Sequence, residues 1–156
     1  MKSGRKHRAA PLWLMVVMLA ALAAGCGSGG GSNTADALSR TQLLKQGDAI
    51  CAKTGARVSK AMNGEAKKLA GKNITVSGEE RLVASVTAPA VVQMSEELAA
   101  LGAPEGEGAE VEAIASDFAA AGHVLEEDPK AGVEEDVFAK ASGAAGTYGF
   151  RICKQF

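Results

Sequence analysis

Apolar residues in this 156-residue chain recur at helical spacing along almost its whole length, which points to an all-α fold. Sustained alternation of apolar and polar residues is absent. One run reads β-like, Asn73-Ile74-Thr75-Val76, and it is too short to build a sheet. The clearest stripe is Val111, Ile114, Phe118, Ala121 and Leu125, which steps by three and four residues as a bundle seam does.

The periodicity predicts four helices. The first covers 39–70, with Ser39-x-x-Gln42 as a capping box and a stripe of Leu43, Ile50, Thr54, Val58, Ala61, Met62 and Leu69. Gly47, Gly55 and Gly64 each cost about 1 kcal/mol against alanine, so this helix is expected to bend or break. Gly71-Lys72-Asn73 ends it. The second covers 78–101, capped at Ser77-Gly78-Glu79-Glu80, kinked or split by Pro89 and stopped by Gly102. The third covers 105–127, where Pro104, Glu105, Glu107, Glu110 and Glu112 suit the positive end of a helix dipole. The fourth covers 130–146, capped by Asp128 with Pro129 at its start and ended by Gly146 or Gly149. Short connections favour antiparallel neighbours, so the expected architecture is an up-down four-helix bundle over 38–156.

Composition sharpens this where the N-terminus is set aside. Residues 1–25 hold four bases (Lys2, Arg5, Lys6 and Arg8), no acid, and an apolar run from Ala9 to Ala24 broken only by Pro11. Sixteen residues reach roughly 24 Å, short of a ~30 Å hydrocarbon core, so this reads as a secretory leader. Leu22-Ala23-Ala24-Gly25-Cys26 resembles the lipobox of bacterial lipoproteins, with Ala23 where leucine is commonest. The resemblance implies that 1–25 is a signal peptide and that Cys26 carries a diacylglycerol as the first residue of the mature chain. Residues 26–37 then form a Gly/Ser tether, Gly27-Ser28-Gly29-Gly30-Gly31-Ser32 at its centre, reaching at most ~36–40 Å. Two or three acyl chains make such an anchor stable.

Without the leader the chain has 13 bases against 18 acids, net −5, where the whole sequence has net −1. Alanines number 25, and the lone Trp13 belongs to the leader, so large hydrophobes are scarce and the core must be thin. Cys51 and Cys153 remain. Two thiols in an exported chain most simply form one disulfide, and their spacing fits neither a CxxC redox motif nor a four-ligand zinc site. Closing a loop of about 100 residues stabilises by up to ~4.7 kcal/mol on the chain-entropy model. The alternative is two free buried thiols.

Charge is unevenly placed. Residues 36–81 hold nine bases and five acids, while 96–136 hold thirteen acids and one base, Lys130. One account is a solvated face with a basic first helix attracting acidic later ones. The other is an acidic surface for a cationic protein partner, or weak calcium binding without an EF-hand spacing. The balance excludes a basic nucleic-acid binder.

Catalytic and cofactor chemistry finds little support. The mature chain has one histidine, His123; Ala120 rules out a Glu-x-x-His di-iron pair, and Met94 lies too far along the bundle to share a haem iron with it. Ser116, Asp117 and His123 lie at offsets that do not converge, and Glu110 and Glu112 point in different directions. No phosphate loop or dinucleotide fingerprint occurs. No cofactor, metal or enzymatic activity is expected.

The lipobox, Leu43-Leu44-Lys45-Gln46-Gly47-Asp48-Ala49-Ile50-Cys51, Pro89, and Tyr148-Gly149-Phe150-Arg151-Ile152-Cys153 together resemble small helical lipoproteins of high-GC bacteria, especially actinobacteria. The resemblance implies an envelope location and a helical fold, and no mechanism. The expected role is a lipid-anchored module on the extracytoplasmic face of the cell membrane, serving binding or envelope structure. The alternatives are a small-ligand carrier with a pocket near Pro89 and Met94, and, further off, a hydrolase around His123.

Overall fold

The structure, a computed structural model, describes residues 38–68 and 75–156. The leader 1–25, Cys26, the tether 26–37 and the Gly71-Lys72-Asn73 stop lie outside the described residues. Within them the chain is all-helical, with no strand. In order it forms α1 (Arg40–Lys68), α2 (Val76–Leu82), a π-helical turn (Val83–Thr87), α3 (Ala88–Ala99), α4 (Gly108–Glu127), α5 (Ala131–Glu134), α6 (Ala139–Tyr148) and a final 3-10 turn (Cys153–Gln155).

The capping box at the start of α1 forms with both bonds: Ser39 N–H donates to Gln42 Oε1 at 2.9 Å, and Gln42 N–H to Ser39 Oγ at 3.3 Å. The three glycines do not break α1, which runs unbroken for 29 residues. Its buried face differs from the expected stripe. It consists of Leu43, Gly47, Cys51 and Thr54, four residues at spacings of four, four and three. Gly47 lies on this face because the Phe150 ring and Leu98 occupy the space where its side chain would be. Beyond Thr54, α1 buries none of its described side chains, and Val58, Ala61 and Met62 are only half-buried.

The second helix is not uniform. It begins at Val76 after Thr75, with no side-chain cap, so the capping box expected at Ser77 is not used. Pro89 has no N–H to return to the carbonyl of Ser85 and its ring crowds that carbonyl. The chain accommodates it by widening into the π turn, where Ala88 N–H reaches back five residues to Val83 O. The helix thereby runs on without interruption into α3, which continues to Ala99, ahead of Gly102 at φ +72°.

The seam of α4 is buried as its spacing predicts: Val111, Ile114, Phe118, Ala121 and Leu125 are all in the core. α4 packs most extensively on α3, and at Gly122 the backbone approaches Val92 and Ala88 so closely that a Cβ there would overlap Val92. The fourth helix is split. α5 ends at Glu135 in extended backbone, and α6 starts only at Ala139, past the acidic Glu134-Glu135-Asp136. α6 ends at Gly149, φ +120°, where Gly149 and Phe150 N–H both donate to Ala145 O.

The C-terminal tail is a core element. Phe150 is 2% exposed, and Phe156 meets Phe118 and Phe138 edge-on at centroid distances of 5.9 and 6.0 Å. The tail packs against both α1 and α6. The Cys51 and Cys153 sulfurs are 2.04 Å apart, disulfide distance, and both residues are fully buried. One turn before Cys51, the half-buried Asp48 carboxylate receives the N–H groups of Arg151 (3.0 Å), Ile152 (2.8 Å) and Cys153 (3.4 Å). A carboxylate on three successive amides satisfies tail donors that no helix supplies with acceptors.

Candidate functional site

The half of α1 beyond Thr54, which buries none of its described side chains, borders a hollow. Between α1 and the α2–π segment lies an open groove of about 690 Å³. Leu82, Val86 and Ala61 supply apolar lining, and Gly64 and Gly78 leave the walls low. Its rim is cationic: Arg57, Lys60 and Lys68 from α1 and Arg81 from α2, all exposed, against one carboxylate, Glu65. The helical spacing brings this about, because positions 57, 60, 64 and 68 step by three, four and four along a single face of α1.

The cations are not equivalent. Arg57 is held in place by Gln93 Oε1 at 2.6 Å and Ala90 O at 3.3 Å. Lys68 pairs with Glu65. Lys60 and Arg81 have no side-chain partner among the described residues. The π turn contributes Ser85, whose hydroxyl donates to Arg81 O at 2.7 Å, and Val86. Residues Ser85 and Val86 also border a smaller hollow of about 240 Å³ that reaches Pro89 and Gln93. π turns concentrate at functional sites.

A second, apolar hollow of about 420 Å³ lies over the Cys51 side of α1, between Gly55, Val58, Thr87, Phe138 and Phe156. At the opposite end of α1 a polar knot forms. Arg40 stacks over the Tyr148 ring at 4.2 Å and donates to Tyr148 O and to Glu107 Oε2, while the Tyr148 hydroxyl donates to the same Glu107 oxygen. Glu107 is held below the usual carboxylate range, first by the tyrosine hydroxyl and then by Arg40. Burial, followed by the Glu107 carboxylate, pushes Tyr148 up to about 12.

The residues singled out in the sequence are placed as follows. Cys51 and Cys153 come together; Cys26 lies outside the described residues. The acidic stretch 96–136 does not form one face. Its carboxylates are spread over the end of α3, the length of α4 and the link to α6, with Glu110 and Glu112 more than about 20 Å of helix away from Glu126 and Glu127. The attraction expected between a basic first helix and acidic later segments is realised at Arg40–Glu107 (3.0 Å) and Lys53–Glu97 (3.3 Å). Met94 is fully buried in the core, and Pro89 borders the smaller hollow. His123 is exposed and sits 2.9 Å from Glu126, while Asp117 turns to Lys140 at 2.7 Å. No group of three or more His, Cys, Asp or Glu side chains suited to a metal ion occurs among the described residues.

In the sequence the groove's cations stand only as part of the basic segment 36–81. The 57–60–64–68 spacing was the available signal. No helix among the described residues is long and apolar enough to cross a membrane. No protein-family model, curated protein or solved structure matches the chain.

Proposed function

We propose that the protein is a non-enzymatic, lipid-anchored helical module on the extracytoplasmic face of the cell membrane, and that its role is ligand binding. The anchor rests on Leu22-Ala23-Ala24-Gly25-Cys26 and the Gly/Ser tether behind it. The folded part is read as an up-down four-helix bundle, with α2, the π turn and α3 as one leg and α5 with α6 as another. The observation that carries a binding role is the groove beside the π turn. Its size lies within the ~300–1,000 Å³ of small-molecule sites, and the adjoining half of α1 has been left out of the core.

Metabolic labelling with a fatty acid, followed by membrane fractionation, tests the anchor. The wild type is expected to carry label and sediment with membranes, and Cys26→Ala to lose both. Label retained on Cys26→Ala overturns the anchor.

A protein partner at the acidic region is the second reading. The observation favouring it is that Glu96 and Glu112, from α3 and α4, border one shallow hollow of about 230 Å³ floored by Ala99 and Ala115. A cross-linked partner lost in the Glu96→Gln/Glu112→Gln variant supports it; unchanged recovery removes this surface from consideration.

A further inference from the structure

We propose that the groove between α1 and the π turn binds an anionic amphiphile, an acyl lipid bearing a carboxylate or phosphate head. This rests on the reading of the chain as a membrane-proximal binding module and names the ligand class of its site. Charge complementarity selects the head. Among the groove's charged groups Lys68 and Glu65 satisfy each other, which leaves Lys60 and Arg81 facing the opening with no side-chain partner among the described residues. An anion there gains two charge-assisted contacts, whereas a neutral or cationic head gains none. Arg57, already fixed by Gln93 and Ala90 O, adds a positive charge without having to be ordered on binding.

The lining selects the chain. Leu82 is in the core with one side turned to the groove, and Val86 and Ala61 are half-buried. Covering them removes apolar surface from water, the term that scales with acyl length. A bare phosphate would leave that surface wet. A neutral hydrocarbon would leave the cations without counter-charge.

Gly64 offers a variant that separates binding from folding. It lies in α1 at the groove, and a Cβ there meets no atom within 4 Å. A leucine in its place extends into the groove while raising helix propensity.

The test uses the mature chain from residue 27, exported behind a cleavable leader without the lipobox, so that the proposed acyl anchor and the apolar run Ala9–Ala24 are both absent and no detergent is needed. Dodecanoate is titrated below its micellar concentration and compared with dodecyltrimethylammonium, with inorganic phosphate and with phosphatidylglycerol vesicles. Saturable one-to-one binding of dodecanoate is expected. Lys60→Gln/Arg81→Gln should weaken it by about ten-fold, the sum of two partly exposed charge contacts. Gly64→Leu should abolish it with thermal stability retained. Dependence of vesicle binding on the same three positions, without binding of free dodecanoate, supports the shared chemistry and makes a bilayer lipid its source. Equal affinity for the cationic amphiphile, or no saturable binding of either anionic probe, overturns the proposal. Those failures leave the anchor standing, since the labelling of Cys26 is measured independently.

Discussion

The Asp48 carboxylate accepts the Ile152 backbone N–H at 2.8 Å, across 104 residues of sequence. The same carboxylate also receives Arg151 and Cys153. It sits one helical turn before Cys51, so a charged cap and a covalent bond fasten the same stretch of tail to the same stretch of α1. Asp48→Ala leaves three amides without their acceptor. Stability is expected to fall by about 1–3 kcal/mol, read as a lower denaturant midpoint, with Asp48→Asn intermediate. An unchanged midpoint for Asp48→Ala contradicts the capping role.

The disulfide closes a loop with a sequence separation of 102 around a core poor in large side chains. Cys153→Ser, or reduction, should cost about 2–4 kcal/mol. Thiol titration of the oxidised wild type under denaturing conditions should find neither Cys51 nor Cys153 free, and Cys51 free in Cys153→Ser. Two free thiols in the oxidised protein contradict the bond.

Two glycines of α1 should respond oppositely to alanine. At Gly47 the new Cβ overlaps the Phe150 ring and presses on Leu98, so Gly47→Ala should destabilise by about 1–3 kcal/mol. At Gly55 nothing lies within 4 Å, so Gly55→Ala should stabilise by about 0.5–1 kcal/mol through helix propensity. Thermal melts of the two variants shifting in the same direction would contradict the packing of the tail on Gly47.

The seam of α4 was legible because Val111, Ile114, Phe118, Ala121 and Leu125 are apolar, evenly spaced and free of breakers. The buried face of α1 was less legible because, of Gly47 and Cys51, the first has no side chain to mark a stripe and the second falls outside the expected spacing of Leu43, Ile50 and Thr54. They are buried by Phe150 and Cys153, which arrive from a tail with no periodicity of its own. Pro89 announced a disturbance, yet its form, a π turn within a continuous helix, depends on how the backbone relocates one hydrogen bond. The groove was hidden for a related reason. Arg57, Lys60 and Lys68 share a face, but only tertiary packing brings Arg81 and Val86 opposite them.

The polar knot makes a pH prediction on the chain's only tyrosine. Tyr148 has a folded pKa raised to about 12, so its contribution to stability is present below the ordinary tyrosine value and is lost as pH rises through about 12. Glu107 has a lowered pKa, so its contribution is present above the ordinary carboxylate range and is lost as pH falls through its folded value. The phenolate absorbance of native protein should therefore appear only near pH 12. Glu107→Gln should move it to lower pH, and Arg40→Gln, which removes a cation that favours the phenolate, to higher pH. A phenolate band at the ordinary tyrosine pH contradicts the burial of Tyr148 and its bond to Glu107.

The central claim, a helical module tied to a membrane by Cys26 and closed on itself by Cys51 and Cys153, is tested most directly by the intact mass of protein extracted from host membranes without reduction. The account predicts a chain that begins at Cys26, carries a diacylglycerol with or without a further acyl chain, and gains the mass of two hydrogens on reduction. A chain that retains residues 1–25, or begins elsewhere without lipid, contradicts it.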